Sequence, residues 1–322
     1  MKFRNREMKM SMTQGLRVAV GAVFFTIIGF AGNAHAAAAQ QKTFASAEEA
    51  VKAAVAAARS DSDKELLAIF GAQAKDLMSS GDAVADKQRR ARFLKAYDEK
   101  NSLVAEGDNR VVVVGNDNWP FPIPLVKKAD SWLFDTEKGR EEILNRRIGE
   151  NELSAIQVTL ALVDAQREYA MKDRDGDGIL EYARRFRSEA AKKNGLYWPA
   201  NTGEEQSPLG PLAAQAQGAG YTAQGPGAGQ TATPYHGYFY KILEAQGKDA
   251  PGGAYSYVVK GNMLGGFALV AFPAQYGNSG VMTFIVNHVG KVFQKNLGTN
   301  TASVAGAMKE YNPDKTWAEV KP

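Results

Sequence analysis

The stretch 150–184 constrains the fold most, because a long helical pattern in it runs directly into an acidic glycine turn. Apolar side chains recur there at alternating spacings of three and four residues, at Leu153, Ile156, Leu160 and Val163. This spacing places them on one face of a helix, while charged neighbours such as Glu152 stay in water. A helix of this kind needs a partner surface, and the strand-rich sequence that follows it would provide one.

The first 36 residues have the pattern of a secretory signal. Five basic residues and one acidic residue precede an apolar run at 18–31, which ends in the small-residue sequence Asn-Ala-His-Ala at 33–36. The run has 14 residues, whereas a membrane-spanning helix needs about 20. We therefore interpret 1–36 as a cleaved signal peptide, with an uncleaved membrane anchor as the alternative.

Charge and cysteine content limit the possible functions of the mature chain. Removing the signal leaves 34 basic and 34 acidic residues, so the mature protein is nearly neutral and has no basic block for nucleic acid. The chain has no cysteine, which excludes disulfides and a thiol nucleophile. We expect a periplasmic or secreted bacterial protein with no nucleic-acid partner and no membrane span in the mature chain.

The mature chain is expected to be an α+β protein with two domains. The first, 37–136, has helical patterns that begin at Ser46 and Ser62, and short strand patterns follow them. The proline-rich segment 119–125 fits an edge strand or a polyproline-like segment. Cone-shaped domains of the nuclear-transport-factor type have this order, helices followed by a sheet of short strands. The analogy concerns the fold alone.

The second domain, 137–322, begins with a helical pattern that continues to residue 172. A short helix at 181–189 and a Gly/Pro-rich surface excursion at 193–235 are predicted to follow. Strand patterns then alternate with turn residues, which indicates an antiparallel meander; they lie at 238–245, 255–260, 266–272, 281–287 and 291–297. Its inward face is predicted to contain Phe267, Leu269, Phe284 and Val286.

Several long motifs resemble a known family over the whole mature chain. They include NWPFPIPLVKK, FDTEKGREEILNRRIGENEL, AQREYAMKDRDGDGILEYA, GLYWPA, TPYHGYFYKIL, APGGAYSYVVKGNM and GGFALVAFPAQYGNSGVMTFIVNHVG. On these motifs the chain resembles the bacterial domain of unknown function 2950 (DUF2950) family. The resemblance implies a secreted protein without an assigned activity.

A second resemblance covers 151–298 and is to the globular part of type IV pilin-like proteins. NELSAIQVTLALVDAQREYA is similar to their helix, DRDGDGILEYA to the turn after it, and ALVAFPAQYGNSGVMTFIVNHVGKV to their final hairpins. Pilins have an apolar helical half before this point, whereas 141–152 reads EEILNRRIGENE. The resemblance therefore implies a pilin-like domain, a long helix packed on an antiparallel sheet, used outside a pilus core.

The acidic turn is the one candidate ion site. Carboxylates at alternate positions converge when the backbone curls, and the glycine at 178 permits the turn. The predicted calcium ligands are Asp173, Asp175, Asp177, the carbonyl of Ile179, and Glu181. Arg184 stands at the twelfth position, where calcium loops have a bidentate glutamate, so binding should be weak. A solvated turn stabilised by its own backbone amides is the alternative.

The histidines, Ser279 and the aromatic clusters are weaker candidates for a functional site. His236 and His288 lack the spacing of a zinc pair, and Ser279 lies in a predicted hairpin turn rather than a nucleophile elbow. Aromatic clusters at 197–198, 235–240 and 255–257 could form a carbohydrate or peptide platform, or pack as core.

The sequence favours a non-catalytic exported protein that acts by binding or assembly on an envelope or extracellular protein or polymer. The alternative is a hydrolase of cell-envelope polymers, which would need a cleft that joins Glu152, Asp164 or His288 to a nucleophile.

Export is directly testable. We expect residues 1–36, fused to a reporter, to carry it out of the cytoplasm, and the mature protein to begin at Ala37 or within two residues. Mass spectrometry of the exported protein checks the cleavage site. Recovery of the full-length chain in the membrane fraction would favour the membrane anchor instead.

Overall fold

The computed structural model describes residues 41–221 and 233–321. The predicted signal at 1–36 lies outside the described residues. The chain from Ala38 to Pro322 forms one compact unit, an α+β fold with helices and antiparallel sheets. No helix in the described ranges is long and apolar enough to cross a membrane.

Four helices open the fold: α1 Ala47–Arg59, α2 Asp63–Phe70, α3 Lys75–Met78 and α4 Ala83–Glu99. The predicted caps at Ser46 and Ser62 are confirmed, because each hydroxyl accepts a backbone N–H from the first turn of its helix. Asp82 caps α4 in the same way through Ala85 N–H at 3.0 Å. These side chains satisfy amide groups that a helix N-terminus leaves without intrahelical partners.

A five-stranded antiparallel sheet follows: β1 Asn101–Glu106, β2 Asn109–Val114, β3 Trp119–Pro120, β4 Leu125–Lys128 and β5 Ser131–Phe134. The strand order is β1-β2-β4-β5, and β3 pairs with β2. Its inner face packs on α1 and α2 and forms a first hydrophobic cluster, which we call the N-terminal core. The proline-rich segment thus contributes the short strand β3, as its missing amide donors allow.

Helix α5, Thr136–Tyr169, has 34 residues and continues through Gly149 without interruption. Asp135 is its N-cap, and the Thr136 hydroxyl donates to the Phe70 carbonyl at 2.6 Å. Gly139 permits a close approach to the sheet, since a Cβ there would lie 2.8 Å from the Pro122 carbonyl oxygen. The first part of α5 thereby packs against the N-terminal core.

The predicted buried face of α5 is wrong in part, since Val163 is 1% exposed as predicted but two of the predicted leucines are not buried. Leu153 is 66% exposed and Leu160 is 40% exposed, whereas Leu162 is fully buried. Leu162 lies nine residues after Leu153, which at about 100° per residue puts it on the opposite side of the helix. The buried face carries small and polar side chains as well, for example Gln166, whose amide exchanges two hydrogen bonds with the Ala183 backbone at 2.7 and 2.9 Å.

The second half of the chain contains helices α6 Gly210–Gly218 and α7 Thr301–Ala307 and ten short strands. The strands are β6 Tyr238–Leu243, β7 Ala245–Gln246, β8 Tyr255–Ser256, β9 Val258–Val259, β10 Asn262–Met263, β11 Ala268–Pro273, β12 Met282–Asn287, β13 Val292–Asn296, β14 Glu310–Tyr311 and β15 Ala318–Glu319. The largest sheet has the order β15-β13-β12-β11-β6 and is antiparallel throughout.

The central strands β11 and β12 are covered on both sides. All six residues of β11 are buried, and the four predicted inward residues, Phe267, Leu269, Phe284 and Val286, are each at most 1% exposed. Together with the buried face of α5 they form a second cluster, the C-terminal core. The expected strand-rich cover for the long helix is therefore present.

Two predicted features of 181–235 differ from the structure. No helix forms at 181–189; instead Tyr182 pairs with Met263 and Arg187 with Tyr197 as isolated bridges. The described part of 193–235 lies only partly at the surface: residues 201–204 are exposed, but side chains such as Leu196, Trp198 and Tyr221 are buried in the C-terminal core. Residues 222–232 lie outside the described ranges.

A buried polar seam joins the two cores. The Asn151 amide accepts from Arg89 and donates to the Ser279 carbonyl, both at 2.7 Å. The Glu152 carboxylate, predicted to be in water, accepts the N–H groups of Val281 and Met282 at 2.9 Å. Because hydrogen bonds are directional, these contacts fix α5 relative to the loop between β11 and β12.

The corrected face of α5 gives a paired test. We expect Leu162→Ala to lower the free energy of unfolding by about 2–5 kcal/mol, because it opens a cavity in the C-terminal core. Leu160→Ala on the exposed side should cost less than about 1 kcal/mol. Chemical denaturation of both variants measures the difference; a larger loss for Leu160→Ala would contradict the observed orientation.

Candidate functional site

The acidic turn after α5 brings its three aspartates together. Asp173, Asp175 and Asp177 each offer one carboxylate oxygen, and these oxygens lie within 4.8 Å of one another. All three side chains are exposed. Such a group has the donor type that calcium prefers, although exposed carboxylates also cluster without any ion.

Backbone N–H groups donate hydrogen bonds to two of these carboxylates, those of Asp173 and Asp177. Asp173 accepts the N–H groups of Gly176 and Gly178 at 2.7 and 2.9 Å, and Asp177 accepts that of Ile179 at 2.8 Å. The bonds from Gly178 and Gly176 lower the pKa of Asp173. These contacts are those of the turn predicted as the alternative. They leave acceptor capacity, since an ionised carboxylate has about four lone-pair sites, so calcium binding stays a prediction.

The remaining predicted ligands have other surroundings. Glu181 accepts the Met263 N–H at 3.0 Å, and burial, together with the charges of Asp175 and Asp177, raises its pKa. Arg184 at the twelfth position turns away and pairs with Glu244 at 2.9 Å. The cluster that the structure brings together thus comprises the three aspartates.

Arg174, inside the turn, anchors it to the C-terminal core. Its side chain is 3% exposed and its guanidinium donates to Glu205 at 2.7 Å. The guanidinium also lies 5.7 Å from the ring centroids of Tyr169 and Trp198. Hydrogen bonds from Lys193 and Lys172, together with the charge of Arg174, lower the pKa of Glu205 to about 2. These contacts hold the turn against the C-terminal core.

A cavity of about 610 Å³ lies in the N-terminal part of the fold. Aliphatic and aromatic side chains make most of its wall; they come from α1, α2 and α4, from the first sheet, and from α5. Examples are Val55, Phe70, Phe93, Val114 and Phe121. No sequence motif marks this cavity, because its wall is assembled from α1 to α5 and several strands of the first sheet.

Charged side chains line one part of the cavity. Arg89, Arg92, Arg146 and Arg147 come from α4 and α5, and we call them the arginine edge. Glu150 accepts hydrogen bonds from Arg89 and Arg92 at 3.4 and 2.9 Å. The side chains of Arg92 and Glu150 are 58% and 49% exposed, so the cavity reaches solvent along this edge.

The residues of the hydrolase alternative have separate partners. The Glu152 carboxylate binds the β12 backbone, Asp164 pairs with Arg167 at the surface, and His288 packs edge-on against Tyr257. Burial lowers the pKa of His288. Ser279 forms the predicted turn by donating to the Gln275 carbonyl at 3.2 Å. No hydrogen bond or ion pair of the described residues joins these groups into a catalytic set.

The aromatic clusters pack mainly as core. Trp198, Tyr235, Tyr238, Tyr240 and Tyr257 are all buried. Tyr255 is 39% exposed and Tyr197 is half-buried. These clusters therefore do not form the continuous platform that a carbohydrate or peptide would need.

Thermal unfolding tests the acidic turn. We expect calcium to raise the melting temperature, because a divalent cation reduces the repulsion between the three aspartates. A dissociation constant of about 10⁻⁴ to 10⁻³ M is expected for calcium. Calcium at a hundred times that concentration should raise the free energy of unfolding by about 3 kcal/mol. Asp175→Ala should abolish the shift, while Asp164→Ala, an exposed carboxylate elsewhere, should keep it. Equal melting temperatures with calcium and with chelator would identify an ordinary turn.

Comparison with known proteins identifies one family. Curated proteins and solved structures gave no match, so the pilin-like resemblance is not confirmed. The family described as a protein of unknown function (DUF2950) matches residues 41–320, a range that includes both cores, the acidic turn and the cavity. The chain belongs to the DUF2950 family.

Proposed function

We propose that this protein acts outside the cytoplasm by binding, without catalysis, and that the N-terminal cavity is its binding site for an apolar molecule. The observation that carries the proposal is the cavity of about 610 Å³ with its mainly apolar wall. Pockets for small molecules typically measure about 300–1,000 Å³ and have such walls. Export rests on the sequence of residues 1–36.

The size of the cavity supports a ligand rather than a packing defect. Protein interiors are close-packed, and few voids in them exceed the size of a water molecule. Empty apolar space costs stability in proportion to its volume. Because the cavity between α1, α4 and the first sheet reaches solvent, its apolar wall contacts water, and an apolar ligand would remove that surface from water and supply the missing contacts.

The chemistry of the wall favours binding over hydrolysis. Its polar side chains are arginines and the carboxylates of Asp86, Asp117 and Glu150. Asp86 already binds the Ser80 hydroxyl at 2.7 Å and Arg89 at 3.3 Å. The described wall has no serine, histidine or lysine that would act as a nucleophile or base. The expected envelope or extracellular partner would then be the source or the recipient of the bound molecule.

Filling the cavity tests this function. Ala54 and Ala56 both lie on α1, but only Ala54 lines the cavity, so the two positions form a matched pair. We expect the neutral fluorescent probe N-phenyl-1-naphthylamine to bind the mature protein. Ala54→Phe should weaken this binding by about tenfold or more, an energy of about 1.4 kcal/mol, because the ring occupies the site.

Ala56→Phe adds the same ring on the exposed side of α1 and should leave probe affinity unchanged. Fluorescence titration measures both variants, and circular dichroism confirms that each one is folded. Equal affinities in the wild type and both variants would show that the probe binds elsewhere and would refute the assignment of the cavity.

A further inference from the structure

Arg147 is the most deeply buried charge on the cavity wall. It lies on α5 and is 5% exposed. Its guanidinium donates to three neutral oxygens, the carbonyls of Asp76 and Leu77 and the side-chain oxygen of Asn278. Its Nε is buried and has no hydrogen-bond partner among the described residues.

The other arginines of the wall have carboxylate partners. Arg89 and Arg92 pair with Glu150, Arg146 pairs with Glu142, and Arg90 pairs with Asp61 and Asp63. Arg147 has no ion pair with any described residue. A buried charge without a counter-ion is unfavourable, because the charge loses its hydration and gains no compensating attraction.

The surroundings of Arg147 disfavour its charge. Burial, and next the like charge of Arg89, lower the pKa of Arg147 to about 10, although Asp86 acts in the opposite direction. Arg89 and Arg147 are thus close enough to repel each other. An anion placed against both would reverse these two effects, since it would supply the missing counter-ion and screen the repulsion.

We propose that the ligand of the cavity is an amphipathic anion, a single apolar chain that ends in an oxyanion, and that Arg147 with Arg89 binds that oxyanion. This inference rests on the function proposed above. Arg147 is the one arginine of the described wall without an ion pair, so its charge is complementary to such a ligand. Guanidinium groups bind carboxylates and phosphates strongly, because their donors match the oxyanion geometry.

The two ends of the site bind different parts of the ligand. The apolar chain lies among residues such as Val55, Phe70 and Phe121, where its burial provides most of the binding energy. The oxyanion lies at the arginine edge, where the cavity reaches solvent. Carboxylic acids and phosphate monoesters share this chemistry, and the experiment below separates them.

Isothermal titration calorimetry with three probes of equal chain length tests the inference. The probes are decan-1-ol, decanoate and decyl phosphate, each titrated into the mature protein at pH 8, where both anions are ionised. We expect at least one anion to bind about tenfold or more tighter than the alcohol, as charged hydrogen bonds imply. The tighter anion identifies the head group as carboxylate or phosphate.

Substitution then locates the charge. Arg147→Gln should lower the ratio of anion to alcohol affinity by about tenfold, and Arg147→Lys, which keeps the charge, should restore part of that ratio. Arg140→Gln, on the same helix but outside the cavity wall, should leave the ratio unchanged. Each result is the ratio of anion affinity to alcohol affinity for one variant. A general loss of stability would weaken both affinities and leave this ratio unchanged.

The outcomes separate the two proposals. If the alcohol binds and neither anion binds tighter, the inference about the head group is overturned while the cavity remains a binding site. If Arg147→Gln folds and keeps the wild-type ratio, the assignment of Arg147 is overturned. If none of the three probes binds, the proposed function fails as well. If Arg147→Gln does not fold, the wild-type ratio and Arg147→Lys decide.

Discussion

The structure depends on one constraint, the burial of a single helix in two hydrophobic cores. Helix α5 has 34 residues, a length of about 50 Å, and a helix in a protein obtains most of its stability from tertiary packing. Its first turns lie against the first sheet at Gly139, and its later turns, with Leu162 and Tyr169, form the centre of the C-terminal core. Buried side chains of α5 belong to the C-terminal core, and its Ile143 packs against the N-terminal core.

The polar seam follows from that arrangement. Where α5 passes from one core to the other, its buried residues Arg147 and Asn151 are polar, and the half-buried Glu152 follows them. Their bonds reach α4 and the loop between β11 and β12. The same helix thus fixes both the join between the cores and the arginine edge of the cavity, so the geometry of the binding site depends on packing far from it.

The two candidate sites differ in how far apart in sequence their residues lie. The acidic turn is local, since Asp173, Asp175 and Asp177 lie within five residues and converge through backbone bonds from Gly176 and Gly178. The cavity is non-local, because residues from Val51 to Glu150 meet in its wall. A site formed by neighbouring residues can be recognised as a motif in the sequence. A cavity wall of alanine, valine and phenylalanine cannot be distinguished from a hydrophobic core in the sequence, because only the folded structure shows the empty space.

The sequence by itself determined the α+β class, the caps at Ser46 and Ser62, the buried central strands and the convergence of the three aspartates. Each of these depends on residues close together in the chain. Only the tertiary structure decided which side of α5 is buried, because Asn151 and Gln166 find buried partners in other segments, and a hydrophobic pattern does not show them. It also decided that side chains of 193–221 pack in the C-terminal core and that Arg147 lacks a counter-ion, since both depend on contacts between residues distant in sequence.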